Sequence, residues 1–281
     1  MNIRKVQQVV SGQATTDGAG VELVRVIGQP ALMDLDPFLL LDAFRSDDPD
    51  DYIAGFPPHP HRGFETVTYL LNGRMRHQDN AGNEGVIEPG GIQWMTAGKG
   101  IVHSEMPEQQ DGMLEGFQLW INLPGSHKMT APSYQEHDAA HIPTESRNDT
   151  VIKVISGKTS QGTSGPVSQP LTDPLYLDVS MQPDTAFNED IAPDHNAFLY
   201  VIDGEVVLEG TDTKQLSLGR DQLAVLGQGD AIALRSGGQA TRFLLVSGKP
   251  LNEPVARGGP FVMNTEAEIR QAFSDYQRGN F

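Results

Sequence analysis

The feature that most constrains this fold is a series of short apolar runs, rich in β-branched, leucine and aromatic residues, that recur between turn-forming residues. Runs of this length, separated by glycine and proline, are typical of β-sandwiches and β-barrels rather than of βαβ units. They occupy residues 21–28, 38–44, 65–73, 116–123, 151–157, 175–181, 197–210, 230–236 and 241–248. The sequence therefore predicts an all-β chain.

Two parts of the chain repeat one pattern. Residues 69–73, YLLNG, match residues 200–204, YVIDG, and the turn at 88–91 resembles the turn at 227–230. Asn-Gly and Asp-Gly between apolar runs favour type I′ hairpins, so both copies are expected to be antiparallel β units of one kind. The repeat predicts a duplicated β-barrel.

Length agrees with this duplication. A chain of 281 residues suits one large or two ordinary domains. We place the two domains at residues 1–140 and 141–281. A stretch rich in Gly, Ser, Thr and Pro at residues 156–170 is expected to be a surface loop or connector near this division.

Composition excludes several classes of function. The chain has no cysteine, so disulfides, cysteine-ligated metals and thiol nucleophiles are excluded, and any metal must bind to histidine and carboxylate. The 20 Lys and Arg residues against 37 Asp and Glu residues give a formal charge of -17, which disfavours direct binding of nucleic acid. Because neither a signal peptide nor an apolar membrane span is recognisable, we expect a cytoplasmic protein without membrane contact.

Histidine spacing predicts a metal site in the first copy. His59 and His61 flank a proline, and side chains two apart on an extended strand point to one face. His103 and Glu105 repeat this spacing. If the two strands face each other inside a barrel, the four side chains would surround one cation and leave coordination positions open for chemistry.

The residues alone leave the fourth ligand open. Glu65 is an alternative to Glu105, because H-x-H-x3-E is also a metal-binding pattern. His77 follows an arginine in a polar stretch and is expected to be solvated. His195, the one histidine beyond residue 141, is expected to be structural.

These residues lie in two runs that resemble the signature of the pirin family. The runs are HPHRGFETVTYL at residues 59–70 and QWMTAGKGIVHSEMP at residues 93–107. The resemblance extends from residues 36–42 to residues 259–265 and so covers nearly the whole chain. It implies two tandem cupin domains, each a jelly-roll β-barrel, with a short C-terminal helix.

The resemblance also implies a ligand set. In pirins the residues that match His59, His61, His103 and Glu105 hold iron, which favours Glu105 over Glu65 as the fourth ligand. Fe(II) is therefore the expected ion, although Mn, Co, Ni, Cu or Zn would also suit three imidazoles and one carboxylate. Glu65 then becomes a candidate for supporting the ligands from behind.

The second copy is expected to bind no metal in this way. Counting from the aligned tyrosines and glycines places Asp190, Ala192, Arg242 and Leu244 at the four ligand positions. None of these residues offers an imidazole. The resemblance agrees, since the second cupin domain of pirins is metal-free and serves as a packing partner.

Two functions are implied by the resemblance. The first is a dioxygenase that cleaves quercetin-type flavonols, with O2 and a small phenolic compound as substrates and Glu105 as ligand and proton acceptor. Phe56, Trp94, Met95 and Met106 are then expected to line a site that excludes water. The alternative is an iron-bound, redox-responsive regulator that acts by binding a protein partner. A cupin that binds a sugar or small acid has no residue specifically in its favour.

A single helix is predicted near the C-terminal end. Thr265 and Glu268 match the capping box, and Ile269, Phe273 and Tyr276 share one helical face. Because an apolar face needs a partner, we expect the helix to fold back onto a β-sheet and to hold the two barrels together. Its removal is expected to lower stability but to leave metal binding by the first barrel largely intact.

Overall fold

The structure, a computed structural model, describes residues 2–210 and 214–281, which are mainly β-strand. The first twelve strands are β1 (Val6–Ser11), β2 (Gln13–Asp17), β3 (Val21–Ile27), β4 (Phe38–Ser46), β5 (Phe56–His61), β6 (Phe64–Asn72), β7 (Met75–Asp79), β8 (Glu84–Ile87), β9 (Ile92–Thr96), β10 (Ile101–Pro107), β11 (Leu114–Asn122) and β12 (Ser133–His137). Each predicted apolar run in this half lies in one of these strands.

The second half continues in the same way. Its strands are β13 (Thr144–Arg147), β14 (Thr150–Ser156), β15 (Leu175–Met181), β16 (Ala186–Asp190), β17 (Asn196–Asp203), β18 (Val206–Glu209), β19 (Gln215–Leu218), β20 (Gln222–Leu226), β21 (Ala231–Ser236), β22 (Thr241–Gly248), β23 (Ala256–Gly258) and β24 (Phe261–Met263). Helix α1 spans Glu266–Gln277, and short 3-10 helices occupy Pro49–Asp51, Gly125–His127 and Ala139–His141. No helix in the described ranges is long and apolar enough to cross a membrane.

The strands belong to two compact units, neither of which is continuous in sequence. The unit that we call the N-terminal barrel contains Ala14–Gly28, Phe38–Ala139 and Leu251–Phe281. The C-terminal barrel contains the chain up to Gln13 together with Gln29–Pro37 and Ala140–Pro250. One boundary between the units lies between Ala139 and Ala140, and each end of the chain belongs to the unit built mainly from the other half. The division into residues 1–140 and 141–281 stays a prediction. Strand β1 belongs to the C-terminal barrel, and α1 belongs to the N-terminal barrel.

The two barrels have the same topology, as the internal repeat predicts. In the N-terminal barrel a seven-stranded sheet has the order β12-β9-β6-β11-β4-β3-β2, and a four-stranded sheet has the order β5-β10-β7-β8. In the C-terminal barrel the orders are β1-β20-β17-β22-β15-β14-β13 and β16-β21-β18-β19. Each strand of one barrel has a counterpart at the same place in the other, and the counterparts follow one another in the same order along the chain. The exception is one edge of the seven-stranded sheet, which β12 forms in the N-terminal barrel and β1 forms in the C-terminal barrel. The prediction of two cupin barrels is confirmed.

The predicted type I′ hairpins are wrong. Strand β6 ends at Asn72 and pairs with β9 and β11, whereas the next strand, β7, pairs with β8 and β10 in the other sheet. Gly73 and Gly204 have φ angles of 84° and 81°, but neither Asn72 nor Asp203 has a positive φ. These turns therefore carry the chain from one sheet to the other, because a single left-handed glycine redirects the strand without pairing its two flanks.

Helix α1 begins with the predicted capping box. The Thr265 side chain accepts a hydrogen bond from the backbone of Glu268, and the Glu268 carboxylate accepts one from the Thr265 backbone at 2.8 Å. The buried residues Ile269 and Ala272 pack against the β23–β24 hairpin. The remaining apolar residues of the predicted face, Phe273 and Tyr276, are each 40% exposed, because the helix docks on a narrow hairpin rather than on a broad sheet.

Candidate metal centre

Strands β5 and β10 bring the predicted imidazoles together. They pair in antiparallel register, with His59 opposite His103 and His61 opposite Ile101. The ring centroids lie 4.5 Å apart for His59 and His103, 4.7 Å for His59 and His61, and 5.1 Å for His61 and His103. One potential ligand atom from each ring lies within 4.8 Å of the others. The three rings therefore converge on a common point, as metal coordination requires.

Glu105 lies beside this cluster but outside the group of three. Its Oε2 is 4.0 Å from His103 Nε2, while its Oε1 accepts a hydrogen bond from the Thr68 hydroxyl at 2.9 Å. The same hydroxyl oxygen lies 2.6 Å from Gln118 Oε1. Thr68 thus holds the carboxylate at the side of the cluster.

Glu65 points away from the imidazoles. Side chains alternate across a strand, and on β6 the even-numbered Phe64 and Thr68 contact the site, with the Phe64 ring 5.1 Å from His61. Glu65 is fully buried on the opposite face, where its carboxylate accepts hydrogen bonds from Trp94 Nε1 at 3.0 Å and from the Thr96 hydroxyl at 2.6 Å. The geometry therefore supports neither of the roles that the sequence left open for Glu65, as a ligand or as a support behind the ligands.

Burial favours the neutral form of two of the imidazoles. His61 and His103 are buried, and this desolvation lowers the pKa of His61 well below its ordinary value and lowers the pKa of His103 to about 4. Neutral imidazole is the form that binds a metal. Within the described ranges, neither ring nitrogen of His103 has a hydrogen-bond partner, which is costly for a buried polar group. A cation bound at this point would take one of these two nitrogens as a ligand, so the donor set fits a metal ion.

A cavity of about 610 Å³ opens beside the cluster. His59, His61 and Glu105 are among its polar lining residues, and Phe56 and Trp120 contribute apolar surface. Of the four residues expected to form the apolar lining, Phe56 lines this cavity. Met106 and the buried Trp94 and Met95 do not. The cavity gives a ligand access to the imidazoles.

His77 is buried, and its predicted exposure is wrong. It lies opposite Glu105 in the register of β7 and β10, and its Nε2 is 2.8 Å from Glu136 Oε2. This neighbouring imidazole lowers the pKa of Glu136. The signal was present in the sequence: β7 alternates between buried and exposed positions, with Met75, His77 and Asp79 inside.

The equivalent positions of the C-terminal barrel contain no histidine. Strands β16 and β21 replace β5 and β10, and their register pairs Asp190 with Ala231 and Asn188 with Ala233. When β7 and β18 are aligned at their equivalent turns, the register of each with its neighbour places Glu189, Ile191, Ile232 and Leu234 at the positions of the four proposed ligands. That this barrel binds no metal stays a prediction. The residues now placed at the four ligand positions differ from those that the sequence analysis named, but none of them is a histidine.

The sequence-based alignment of this barrel was wrong by one residue at the positions of His59 and His61 and by ten residues at those of His103 and Glu105. Arg242 lies on β22, the counterpart of β11, and therefore does not correspond to His103. The error arose because the turn at 227–230, which precedes β21, was matched to the turn at 88–91, which precedes β9. Its true counterpart is the turn at 97–100 before β10. Short glycine turns are too similar to align strands reliably.

Two barrels of one topology, with an imidazole cluster in one of them, define a protein of the two-cupin class. The sequence carries this further, since the pirin profile matches residues 20–121 and the profile of the pirin C-terminal cupin domain matches residues 176–281. The chain belongs to the pirin family. The second profile includes α1, which lies in the compact unit of the N-terminal barrel.

Individual relatives match along the whole chain. A pirin-like protein of Caulobacter vibrioides is 53% identical over 282 residues and covers 100% of both chains. Human pirin is 42% identical over 276 residues, which cover 98% of this chain and 92% of that protein. The crystal structure of a quercetin 2,3-dioxygenase from Acinetobacter baumannii has a TM-score of 0.90 at 32% identity and covers 99% of this chain and 98% of that chain.

Proposed function

We propose that this protein is a metal-dependent dioxygenase that acts on quercetin-type flavonols. Fe(II) would be held by His59, His61, His103 and Glu105. The observation that carries the proposal is the convergence of three imidazoles, with ligand atoms within 4.8 Å of one another, beside a cavity of about 610 Å³ that His59 and His61 line. The likeness to the Acinetobacter baumannii quercetin 2,3-dioxygenase supports the reaction class.

The bound ion would supply Lewis acidity toward a phenolic hydroxyl and a redox centre for chemistry with O2. His61 and His103 would hold it as neutral donors, because burial disfavours their protonation. His59 is only partly buried and lines the cavity, so the ligand set is open on the side from which a substrate arrives. These features favour a reactive site over a closed structural one.

Glu105 is the residue that would move a proton. It lines the cavity, and its Oε1 is fixed by Thr68, while Oε2 faces the His103 ring at 4.0 Å. A phenol that entered the cavity beside His59 would meet this carboxylate, which would accept the hydroxyl proton. Phe56 and Trp120 would contact the aromatic rings of the substrate and exclude water from them.

Oxygen uptake tests this proposal. Protein loaded with Fe(II) is mixed with quercetin in an oxygen-electrode cell, and loss of the flavonol is followed by absorbance. We expect equal consumption of O2 and quercetin by the unmodified protein, none by His59→Ala, and a strong reduction by Glu105→Gln with Glu65→Gln as the matched control. Full metal occupancy without oxygen uptake would contradict the enzyme and favour the regulatory alternative, in which the iron-loaded protein binds a protein partner.

A further inference from the structure

A buried arginine follows directly after the H-x-H pair. The Arg62 side chain is 4% exposed, and its Nη1 donates a hydrogen bond to Asp275 Oδ2 at 2.8 Å. Its Nε donates to the carbonyl oxygen of Lys99 at 2.5 Å, and its guanidinium carbon lies 4.3 Å from the centre of the Phe281 ring. Because a guanidinium removed from water is costly unless it is paired, these contacts hold the side chain in one place.

The partners of Arg62 connect the two ligand strands with the end of the chain. Lys99 precedes β10, the strand of His103, and Arg62 follows β5, the strand of His59 and His61. The other two partners, Asp275 and Phe281, lie in residues 261–281, which we call the C-terminal segment. One side chain therefore joins the end of β5, the beginning of β10 and the C-terminal segment.

Close backbone contacts repeat this connection. The Val262 amide donates to the Arg62 carbonyl at 3.0 Å, and the buried Lys128 ammonium donates to the carbonyl oxygens of Gly63 and Val262 at 2.7 Å and 3.0 Å. The Phe281 ring occupies the space beside Gly100, where an added side-chain carbon would lie only 2.8 Å from it. Gly100 has a φ of 142°, so glycine is required there for both space and conformation.

We propose that the C-terminal segment positions the imidazoles of the metal centre, a role that rests on the proposed function. Asp275 and Phe281 fix Arg62 and the beginning of β10, and these in turn fix the strand ends from which His61 and His103 project. Both are positioning residues, since neither lines the cavity. Ligands held by supporting contacts bind an ion more tightly and release it more slowly than mobile ligands do. Removal of the segment should therefore weaken metal binding. The sequence analysis had expected metal binding to stay largely intact without the helix.

Co(II) binding by the full chain tests this role with two matched pairs of variants. Phe281→Ala removes the ring beside Arg62 and Gly100, whereas Phe273→Ala removes a ring that contacts Phe261 at a similar distance, 4.9 Å against 5.5 Å. Asp275→Asn weakens the ion pair with Arg62, whereas Gln271→Ala removes only the other partner of Asp275. The readouts are the visible absorption of bound Co(II), its release rate to a chelator, and the melting temperature of the metal-free protein.

We expect Phe281→Ala and Asp275→Asn to release Co(II) about 10-fold to 100-fold faster and to change its absorption spectrum. Phe273→Ala and Gln271→Ala should retain the spectrum and the release rate of the unmodified protein, even where the melting temperature falls. Unchanged spectra and rates in all four folded variants would overturn the positioning role and leave the proposed function standing. Absence of Co(II) binding by the unmodified protein would contradict the proposed metal centre itself.

Discussion

The two barrels share one strand order but differ in what fills them. The interior of the C-terminal barrel is an apolar cluster that includes Ile152, Leu199 and Phe243. In the N-terminal barrel the inward positions of β10 and β7 carry His103, Glu105 and other polar groups instead, and a cavity of about 610 Å³ opens beside them. The same jelly roll therefore tolerates either a packed core or a polar site.

The difference depends on a few inward-facing positions. Where His59 faces His103 in the first barrel, Glu189 faces Ile232 in the second. Apolar burial stabilises a barrel, whereas buried imidazoles without partners cost stability unless a ligand satisfies them. We infer that the C-terminal barrel contributes mainly stability and that the N-terminal barrel exchanges part of its stability for chemistry.

The largest expected effect lies in the packed barrel. Phe243 is fully buried and meets Phe187 edge-on at a centroid distance of 5.6 Å. Phe243→Ala should lower the free energy of unfolding by about 3–5 kcal/mol, because it leaves a cavity in a close-packed interior. Denaturant unfolding measures this loss, and Co(II) stoichiometry serves as the control and should not change. A loss below about 1 kcal/mol would show that this interior is not close-packed.

A pH effect is expected in the N-terminal barrel. Burial lowers the pKa of Lys128 to about 8, whereas an unfolded lysine titrates near 10.4. Between these values the unfolded chain binds more protons than the folded chain, so the free energy of unfolding contributed by Lys128 rises with pH. The gain is at most about 3 kcal/mol from pH 8 to pH 10.4. Equal pH slopes for the unmodified protein and Lys128→Met, measured by urea unfolding, would contradict this prediction.

The two carboxylates near the H-x-H motif should differ in their effect on metal affinity. Glu105 lies beside the imidazoles, and Glu65 faces the other side of its strand, bound to Trp94 and Thr96. We expect Glu105→Gln to weaken Co(II) binding about 10-fold to 100-fold and Glu65→Gln to leave it nearly unchanged. The reverse ranking in a titration would mean that the H-x-H-x3-E pattern describes the site.

The smallest expected effect concerns helix α1, which lies near residue 281 and belongs to the compact unit of the N-terminal barrel. Thr265→Ala removes one half of the capping box and should cost about 1 kcal/mol. If α1 belongs to the N-terminal barrel, amide exchange should increase in α1 and in the β23–β24 hairpin, while β14 and β15 stay protected. Equal increases in both barrels would contradict this assignment.

Local patterns in the sequence were sufficient for the strands, the repeat and the imidazole cluster. The apolar runs became strands, and the capping box at Thr265 formed as predicted, because both depend on neighbouring residues. The convergence of His59, His61 and His103 followed from the alternation of side chains along extended strands. Period-two spacing thus predicts a site whenever its strands become neighbours.

Features that depend on distant contacts were not predictable in the same way. The Asn72-Gly73 turn has the composition of a hairpin, but only the sheet order shows that it crosses between sheets. The exchange of chain ends between the barrels, and the contact of Arg62 with Asp275, join residues that no local pattern relates. The prediction that His77 is solvated was wrong because its neighbours in sequence are polar. They lie on a strand whose residues are alternately buried and exposed.

Metal stoichiometry of the purified, untagged chain tests the contrast between the two barrels. Titration of the metal-free protein with Co(II) or anaerobic Fe(II) should give one bound ion per chain. His59→Ala, His61→Ala and His103→Ala should each abolish stoichiometric binding while retaining a cooperative melting transition, because apolar packing rather than the ion holds the barrels. Full occupancy in any of the three variants, or two ions per unmodified chain, would contradict a single metal centre built from these imidazoles.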